Sequence, residues 1–274
     1  MSGVAERRSR LIVWQLALAA TVLLVWEWAA ASNVLDPFFF SRPSDVVLRM
    51  AQWIGTGSLW VHLSTTFSEA ILSFVIGGSL GVLLGFALAG VPILAALLEP
   101  YLRIANALPR VVLAPIFLLW FGLGIWSKVA LGVTVVFFIV FFNTYRGVRE
   151  VDRVVIDNAR MLGASQAQLV RHVLIPSALT WIFASLHISI GMAIIAVVVG
   201  EYLGSSRGIG YLIAQAEGVF DTTGVFAGMA VLAAGVLLVG DLVSRLERRL
   251  LRWKPEHAES RSSEWLGSLA RLKS

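Results

Sequence analysis

Residues 69–90 read EAILSFVIGGSLGVLLGFALAG, an apolar run in which Glu69 is the one charged residue. About 20 such residues span the hydrocarbon core of a bilayer as a helix. Small residues recur in the run at every fourth position. Helices in lipid associate through van der Waals packing, so such a stripe lets a second helix approach closely. We therefore expect a membrane-spanning helix that packs along this face. The small residues are Ser73, Gly77, Gly81, Gly85 and Ala89.

The whole chain shares this apolar composition. Of its 274 residues, 58% are hydrophobic and 14% are charged, against about 45–50% and 25% in soluble domains. The mean hydropathy is +0.81. A soluble protein of this size could not bury so much apolar surface, which excludes a soluble enzyme and a disordered chain. The chain has no cysteine, so disulfides and thiolate metal sites are excluded as well.

Six apolar runs are long enough to span a membrane, which predicts an all-α fold: a polytopic transmembrane helical bundle of about six spans. The third run contains Pro100, Pro109 and Pro115, and prolines should break or kink it. The first run could be a signal peptide, but its apolar core is longer than usual and we expect an uncleaved anchor. The runs cover residues 11–31, 69–90, 93–121, 128–145, 181–201 and 224–243.

The distribution of basic residues orients the bundle. Sixteen of them fall on one side of the predicted spans and four on the other, with Arg103 and Arg110 left uncounted in or beside the broken run. Cytoplasmic loops carry the excess of Lys and Arg. We therefore expect a multi-pass membrane protein with both termini cytoplasmic, and no nucleic-acid partner despite the net charge of +5. The sixteen are Arg7, Arg8, Arg10, Arg146, Arg149, Arg153, Arg160, Arg171, Arg245, Arg248, Arg249, Arg252, Lys254, Arg261, Arg271 and Lys273, and the four are Arg42, Arg49, Lys128 and Arg207.

Three regions follow from this pattern. Residues 1–61 should hold the cytoplasmic N-terminus, the first transmembrane anchor and an extracytoplasmic connector with a short helix that begins at Pro43-Ser44. Residues 62–250 should form the core of the bundle, with a cytoplasmic loop at 146–180. Residues 251–274 are polar and should form a cytoplasmic tail.

Polar residues in two of the runs are candidates for a solute pathway. Asn106, Pro109 and Arg110 lie where the third run is broken, and broken helices in membranes line cavities. His187 and Ser189 lie within the fifth run. Two alternatives stay open: Arg110 could extend to the cytoplasmic interface, and His187 could be hydrogen-bonded between helices.

The loop at 146–180 contains two predicted amphipathic helices. The first should end at Gly163, a favoured C-terminal residue. The second should begin with a capping box formed by Ser165 and Gln168 and should stop at Pro176. Apolar side chains on such helices need a partner surface, either another protein or the lipid headgroups.

The sequence of part of this loop resembles a motif of a known protein family. The spacing of Asp157-Asn158-Ala159, Gly163 and Val173-Leu174-Ile175-Pro176 resembles the EAA loop of ABC importer permeases. Asp157, Asn158 and Ile175 depart from the usual Glu, Ala and Leu. Over residues 62–250 the chain is similar to the nitrate/sulfonate/taurine-type branch. The further stretches that carry this similarity are 109–122, 208–213 and 220–222.

The resemblance implies the type I ABC importer permease fold and a role as the transmembrane permease subunit of an ATP-driven importer in the bacterial plasma (inner) membrane. Two cytoplasmic ATP-binding subunits would bind ATP and Mg, an extracytoplasmic solute-binding protein would deliver the solute, and a second permease copy would complete a homodimer, unless a close relative takes its place. The solute would be small and polar or anionic: a sulfonate, taurine, nitrate or a vitamin precursor. The residues implied in ATPase coupling are Asp157, Asn158, Ala159, Arg160, Leu162, Gly163, Ala164, Ser165 and Pro176.

The chain itself carries no motif for catalysis. It lacks the glycine-rich sequence that cradles nucleotide phosphates, and its four histidines do not have zinc-ligand spacing. We therefore expect no catalytic residue, no metal and no cofactor in this chain, and a transporter subunit rather than an enzyme. The alternative function is a secondary transporter or channel that works without an ATPase.

Overall fold

The computed structural model describes residues 2–250, and the regular structure in this range is helical. The predicted tail, residues 251–274, lies outside the described residues. A 3₁₀ helix, Arg110–Leu113, precedes α6, and a π-helix, Val170–Leu174, precedes α10. The α-helices are α1 (Ser2–Ala31), α2 (Pro37–Phe40), α3 (Pro43–Gly55), α4 (Ser58–Gly90), α5 (Pro92–Ala107), α6 (Ala114–Phe121), α7 (Ile125–Arg149), α8 (Arg153–Met161), α9 (Gln166–Leu169), α10 (Ile175–Leu203), α11 (Ile209–Gly218) and α12 (Thr222–Leu250).

The six predicted spans are confirmed, the third of them as a broken one. Five helical segments are long and apolar enough to cross a membrane. The third span consists of Pro92–Ala107 and Arg110–Phe121, which meet at an angle of 88°. The break follows from Pro109, because proline donates no backbone hydrogen bond and favours an extended residue before it. Leu108 has that extended conformation, with ψ of 132°. The five unbroken segments are Leu11–Ala31, Ser58–Gly90, Ile125–Arg149, Gln166–Leu203 and Thr222–Val243.

The centre of the bundle is the contact between α4 and α7. A Cβ atom built on Gly77 would lie 2.9 Å from Val136 Cβ, and one built on Gly85 would lie 2.8 Å from Thr144 Cβ. Both helices advance in the same direction along this contact, so they run parallel. α10 packs antiparallel against α7, since Gly147 lies against Trp181 and Gly200 against Lys128. We call the end of the bundle where α4 and α7 begin the upper end, and the opposite one the lower end.

Smaller elements are tied together at the upper end. Glu27 at the end of α1 accepts hydrogen bonds from the backbone N–H and the hydroxyl of Ser44, at 3.0 and 2.9 Å. Arg49 of α3 forms an ion pair with Asp221, which precedes α12. The helix predicted to begin at Pro43 is therefore present, and it holds α1 and α12 together.

The prediction that Pro176 stops the second helix of the 146–180 loop was wrong. The chain continues from α9 through the π-helix into α10, so that Gln166–Leu203 forms one candidate span. Pro176 lies in the first turn of α10, where a missing N–H is tolerated. The wider π-helical turn before it accommodates the proline ring, which would otherwise meet the carbonyl group of His172.

The contact between α4 and α7 generates a stability prediction. The Cβ atom of Gly81→Ala would lie 2.9 Å from both Phe137 O and Val140 Cβ, so the helices must separate. Overpacking of this kind costs about 1–3 kcal/mol. We expect Gly81→Ala to lower the unfolding temperature of the detergent-purified protein. Gly90→Ala is the matched control in the same helix, since no atom lies within 4 Å of its Cβ position. Equal unfolding temperatures for the two variants would contradict the packing account.

Candidate functional site

The loop between α7 and α10 is fixed by local capping interactions. At the start of α8, Asp152 Oδ1 accepts a hydrogen bond from the Val154 N–H at 2.9 Å. At its end, the N–H groups of Gly163 and Ala164 donate to carbonyl groups of the last turn, at 2.9 and 3.0 Å. This pair of bonds is a Schellman motif, which requires a left-handed residue after the helix. Gly163 supplies it, with φ of +82°.

The next helix begins two residues later with the predicted capping box. Gln168 N–H donates to Ser165 Oγ at 3.3 Å, and Ser165 N–H donates to Gln168 Oε1 at 2.8 Å. Each residue thus satisfies the backbone donor of the other. Because a Schellman motif and a capping box adjoin, the turn between α8 and α9 has a defined shape.

The tip of this turn exposes apolar side chains at the lower end of the bundle. Leu162 is 89% exposed and Met161 is 79% exposed. A concave pocket of about 350 Å³ lies beside them. Its lining residues are Ala159, Leu162, Gly163, Ala164, Gln168, Leu169, His172 and Val173. A rigid turn with an exposed apolar tip and an adjoining hollow has the shape of a docking element.

A cavity of about 260 Å³ lies at the break in the third span. Arg110 reaches it from the 3₁₀ helix and donates hydrogen bonds to Asn106 O and Asn106 Oδ1, both at 2.6 Å. The guanidinium carbon also lies 5.1 Å from the centre of the Phe138 ring. The other walls are apolar: Val111, Leu131, Val135, Ile139, Met192, Ile195, Ala196 and Val199.

A larger cavity of about 500 Å³ continues toward the lower end. Asn106 borders both cavities. Arg103 and Arg146 line the larger one, together with Glu99, whose carboxylate pairs with Arg103 at 2.6 Å. Counting Arg110, the two cavities are lined by three cations and one anion. Their shared electrostatic character is positive, which favours an anionic solute.

Comparison with known proteins identifies the family. Residues 77–252 match the sequence model of the family described as "Binding-protein-dependent transport system inner membrane component". This match covers more than half of the chain. The chain belongs to this family. It is therefore a permease subunit of an ABC importer, a transporter subunit rather than an enzyme, and a multi-pass membrane protein.

Individual relatives agree with this family. The permease is 35% identical over 240 residues to the putative aliphatic sulfonates transport permease protein SsuC of Bacillus subtilis (strain 168). This alignment covers 87% of each chain. It is 34% identical to the riboflavin transport system permease protein RibX of Chloroflexus aurantiacus (strain ATCC 29366 / DSM 635 / J-10-fl), over 79% of this chain and 81% of the other. The predicted resemblance to the sulfonate-type branch is thus confirmed.

Solved structures confirm the type I importer fold. A chain in the crystal structure of an amino acid ABC transporter with histidines superposes with a TM-score of 0.60 at 19% identity. The match covers 74% of this chain and 97% of that one. At this level of identity the likeness concerns the fold alone.

The permease brings together some of the predicted pathway residues. Asn106 and Arg110 line the smaller cavity, and Pro109 lies between them at the break. Ser189 faces elsewhere, because it is fully buried in α10 and its hydroxyl donates to Ser185 O at 2.7 Å. His187 lies on an exposed part of α10 and is not among the residues that line either cavity.

Eight of the nine predicted coupling residues lie in or next to the turn at the lower end. Asp157 and Arg160 form an exposed ion pair at 3.8 Å on α8, and Asn158 lies between them. Ala159, Leu162, Gly163 and Ala164 line the pocket beside the tip. Ser165 caps α9, whereas Pro176 lies further along, in the first turn of α10.

Sequence reasoning missed one polar cluster. Glu69, Lys128 and Glu201 come from three different helices and are all buried near the upper end of the permease, with at most 1% of each exposed. The predicted second run began at Glu69, which placed this residue at a span end, but α4 begins at Ser58. The sequence did contain an indication of this cluster. Each of the three charged residues lies at the end of a predicted span, and these three span ends are on the same side of the membrane.

Proposed function

We propose that this permease forms half of the translocation pathway of an ATP-driven importer of small organic anions, and that the α8–α9 turn receives the force of a separate ATPase. One observation carries the coupling role: Leu162 is 89% exposed at the tip of a turn whose backbone is fixed on both sides by capping interactions. On a mobile loop an exposed leucine could become buried against the bundle. Here the two capping motifs fix the backbone of the turn, so the Leu162 side chain stays exposed.

The orientation in the membrane follows from charge. Arg146 and Arg149 end α7, and three further arginines lie in the loop that follows, all at the lower end of the bundle. By the positive-inside rule, we infer that the lower end and both termini are cytoplasmic. The upper end, with α2, α3 and α11, faces outward, where a solute-binding protein would dock.

The ATPase is expected as a separate chain that binds ATP and Mg. This sequence has no phosphate-binding loop, while the pocket beside Leu162 and the apolar tip offer a surface for a cytoplasmic partner. The two cavities along the broken span lie at the surface of the single chain, so one copy supplies one wall of a pathway. A second permease copy, related by a two-fold axis, would supply the opposite wall, and each permease copy would bind one ATPase subunit.

The chemistry of the cavities supports an anionic solute with an apolar part. Arg110 lies among apolar walls and offers its guanidinium group, which binds sulfonate or carboxylate oxygens through two N–H groups. The similarity to a sulfonate permease agrees with this assignment. We therefore infer an alkanesulfonate-like solute.

The coupling role is tested by substitution of Gly163. Its φ of +82° disfavours residues with a Cβ atom, although no neighbour lies within 4 Å of that position. Strain of this kind costs about 1–2 kcal/mol. We expect Gly163→Leu to distort the turn and to lower both ATPase retention and solute uptake about tenfold. Gly163→Asn, which tolerates this conformation better, should keep most of both.

The readout is the amount of ATPase recovered with the detergent-purified permease, together with uptake into cells. If Gly163→Leu and wild-type permease take up solute equally well, the coupling role is wrong. If the permease is purified alone and still transports after ATP depletion, the alternative of a secondary transporter or channel takes its place.

The solute class is tested at Arg110. Arg110→Gln removes the positive charge from the smaller cavity, and we expect alkanesulfonate uptake to fall about tenfold, which is the scale of one hydrogen bond to a charged group. Arg110→Lys keeps the charge and should retain most of the uptake. ATPase retention serves as the control for assembly. Unchanged uptake in Arg110→Gln, or an equal loss in both variants with intact assembly, would contradict the anion-binding role.

A further inference from the structure

The buried cluster at the upper end joins three helices of the bundle. Glu69 lies on α4, Lys128 on α7 and Glu201 on α10, and each is at most 1% exposed. Two carboxyl groups thus share one buried site with one ammonium group. Ionised groups are costly to bury unless they are paired and hydrogen-bonded, so the partners of each group indicate its charge.

Glu201 has the partners of an ionised carboxylate. Its Oε1 accepts a hydrogen bond from the Thr66 hydroxyl at 2.7 Å, and its Oε2 accepts one from the Gly210 N–H at 2.8 Å. Thr66 Oγ1 in turn accepts a hydrogen bond from the Ile209 N–H at 2.9 Å. Both oxygens of Glu201 therefore act as acceptors. Through these bonds the carboxylate holds the first turn of α11.

Lys128 provides the one positive charge of the cluster. Its Nζ donates hydrogen bonds to Leu123 O at 2.6 Å and to Gly124 O at 3.1 Å. These carbonyl groups belong to the turn after α6. Their dipoles share the ammonium charge but do not replace a counter-ion. Only one of the two carboxyl groups can be balanced by Lys128.

His62 adds no positive charge to this site. Its Nδ1 lies 3.0 Å from the backbone nitrogen of Gly208, which can only donate. Nδ1 must therefore accept the hydrogen bond, and an imidazole with an accepting nitrogen is neutral. The ring stacks on Tyr211, with its centre 5.9 Å from the centre of that ring.

Glu69 lacks the partners that a carboxylate needs. Its Oε2 is buried and has no hydrogen-bond donor among the described residues. Glu69 lies on the same face of α4 as Thr66, one turn further along, and the Thr66 hydroxyl donates a hydrogen bond to Glu201 Oε1, so the carboxyl groups of Glu69 and Glu201 lie side by side. Two ionised carboxylates side by side in a buried site repel each other. A proton on Glu69 removes the repulsion, and it lets Glu69 Oε2 donate a hydrogen bond to a Glu201 oxygen.

We propose that Glu69 carries a proton and donates it as a hydrogen bond to the ionised Glu201, so that Glu69, Glu201 and Lys128 form a neutral proton-holding site that fixes the start of α11. The assignment goes beyond the importer function and does not depend on the transported solute. It makes Glu69 and Glu201 unequal although they have the same side chain. Glu201 must stay an acceptor on both oxygens, whereas Glu69 must donate.

The matched substitutions Glu69→Gln and Glu201→Gln test this asymmetry. The amide of Glu69→Gln keeps both a donor and an acceptor, so the unfolding temperature of the detergent-purified permease should stay within about 2 °C of wild type. Glu201→Gln turns an NH₂ group toward the Thr66 hydroxyl or the Gly210 N–H, both of which donate to the wild-type carboxylate, so it should lose about 10 °C. Equal losses in the two variants, or the reverse order, would overturn the assignment. They would indicate two carboxylates held by a bound ion or water, or a proton on Glu201.

Infrared spectroscopy provides a readout that packing alone would not change. At neutral pH the wild-type permease should show the carbonyl stretch of a buried protonated carboxylic acid, and this band should be missing in Glu69→Gln and present in Glu201→Asp. If a variant does not fold, the wild-type spectrum still decides. Absence of a protonated carboxyl band at neutral pH would refute the proposal.

Discussion

The close approach of α4 and α7 is the constraint on which the rest of the fold depends. In lipid, helices gain little from burying apolar side chains, because the acyl chains are equally apolar. Attraction must come from short-range packing, and the glycine face of α4 brings backbone and Cβ atoms of α7 within van der Waals distance. The two helices run parallel. The chain must therefore cross the membrane once more between them, and the broken span made by α5 and α6 is that return path.

The break in the return path and the turn after α6 both contain backbone carbonyl groups outside regular helix, and a cation donates hydrogen bonds to each set. Arg110 donates to Asn106 O on one side of the break, and Lys128 donates to Leu123 O and Gly124 O after α6. Backbone carbonyl groups without partners are very costly in a membrane. The same residues then acquire further roles: Arg110 makes the cavity positive, and Lys128 sets the charge of the buried carboxyl pair. The side chains that donate hydrogen bonds to backbone carbonyl groups are thus the same ones that set the charge of the cavity and of the buried cluster.

Much of this architecture could be predicted from composition and periodicity. The spans, the break at Pro109 and the caps at Gly163 and Ser165 depend on neighbours in sequence, so local rules identify them. The passage through Pro176 could not be foreseen, because a π-helical turn depends on the packing of the helices on both sides. The Glu69–Lys128–Glu201 cluster was also missed. Its members are far apart in sequence, and only the packing of α4, α7 and α10 makes them neighbours.

The central claim is that the exposed turn at the lower end contacts an ATPase. Since the chain contains no cysteine, Leu162→Cys places one thiol at the tip of the turn, and Leu119→Cys places one at an 85% exposed apolar position on α6. Both variants would be treated in native membranes with a short thiol-to-amine cross-linker, and the products identified by mass spectrometry. The account predicts that position 162, and not position 119, is linked to a nucleotide-hydrolysing subunit. A transport-competent Leu162→Cys permease that is labelled fully but links to no such subunit would contradict it.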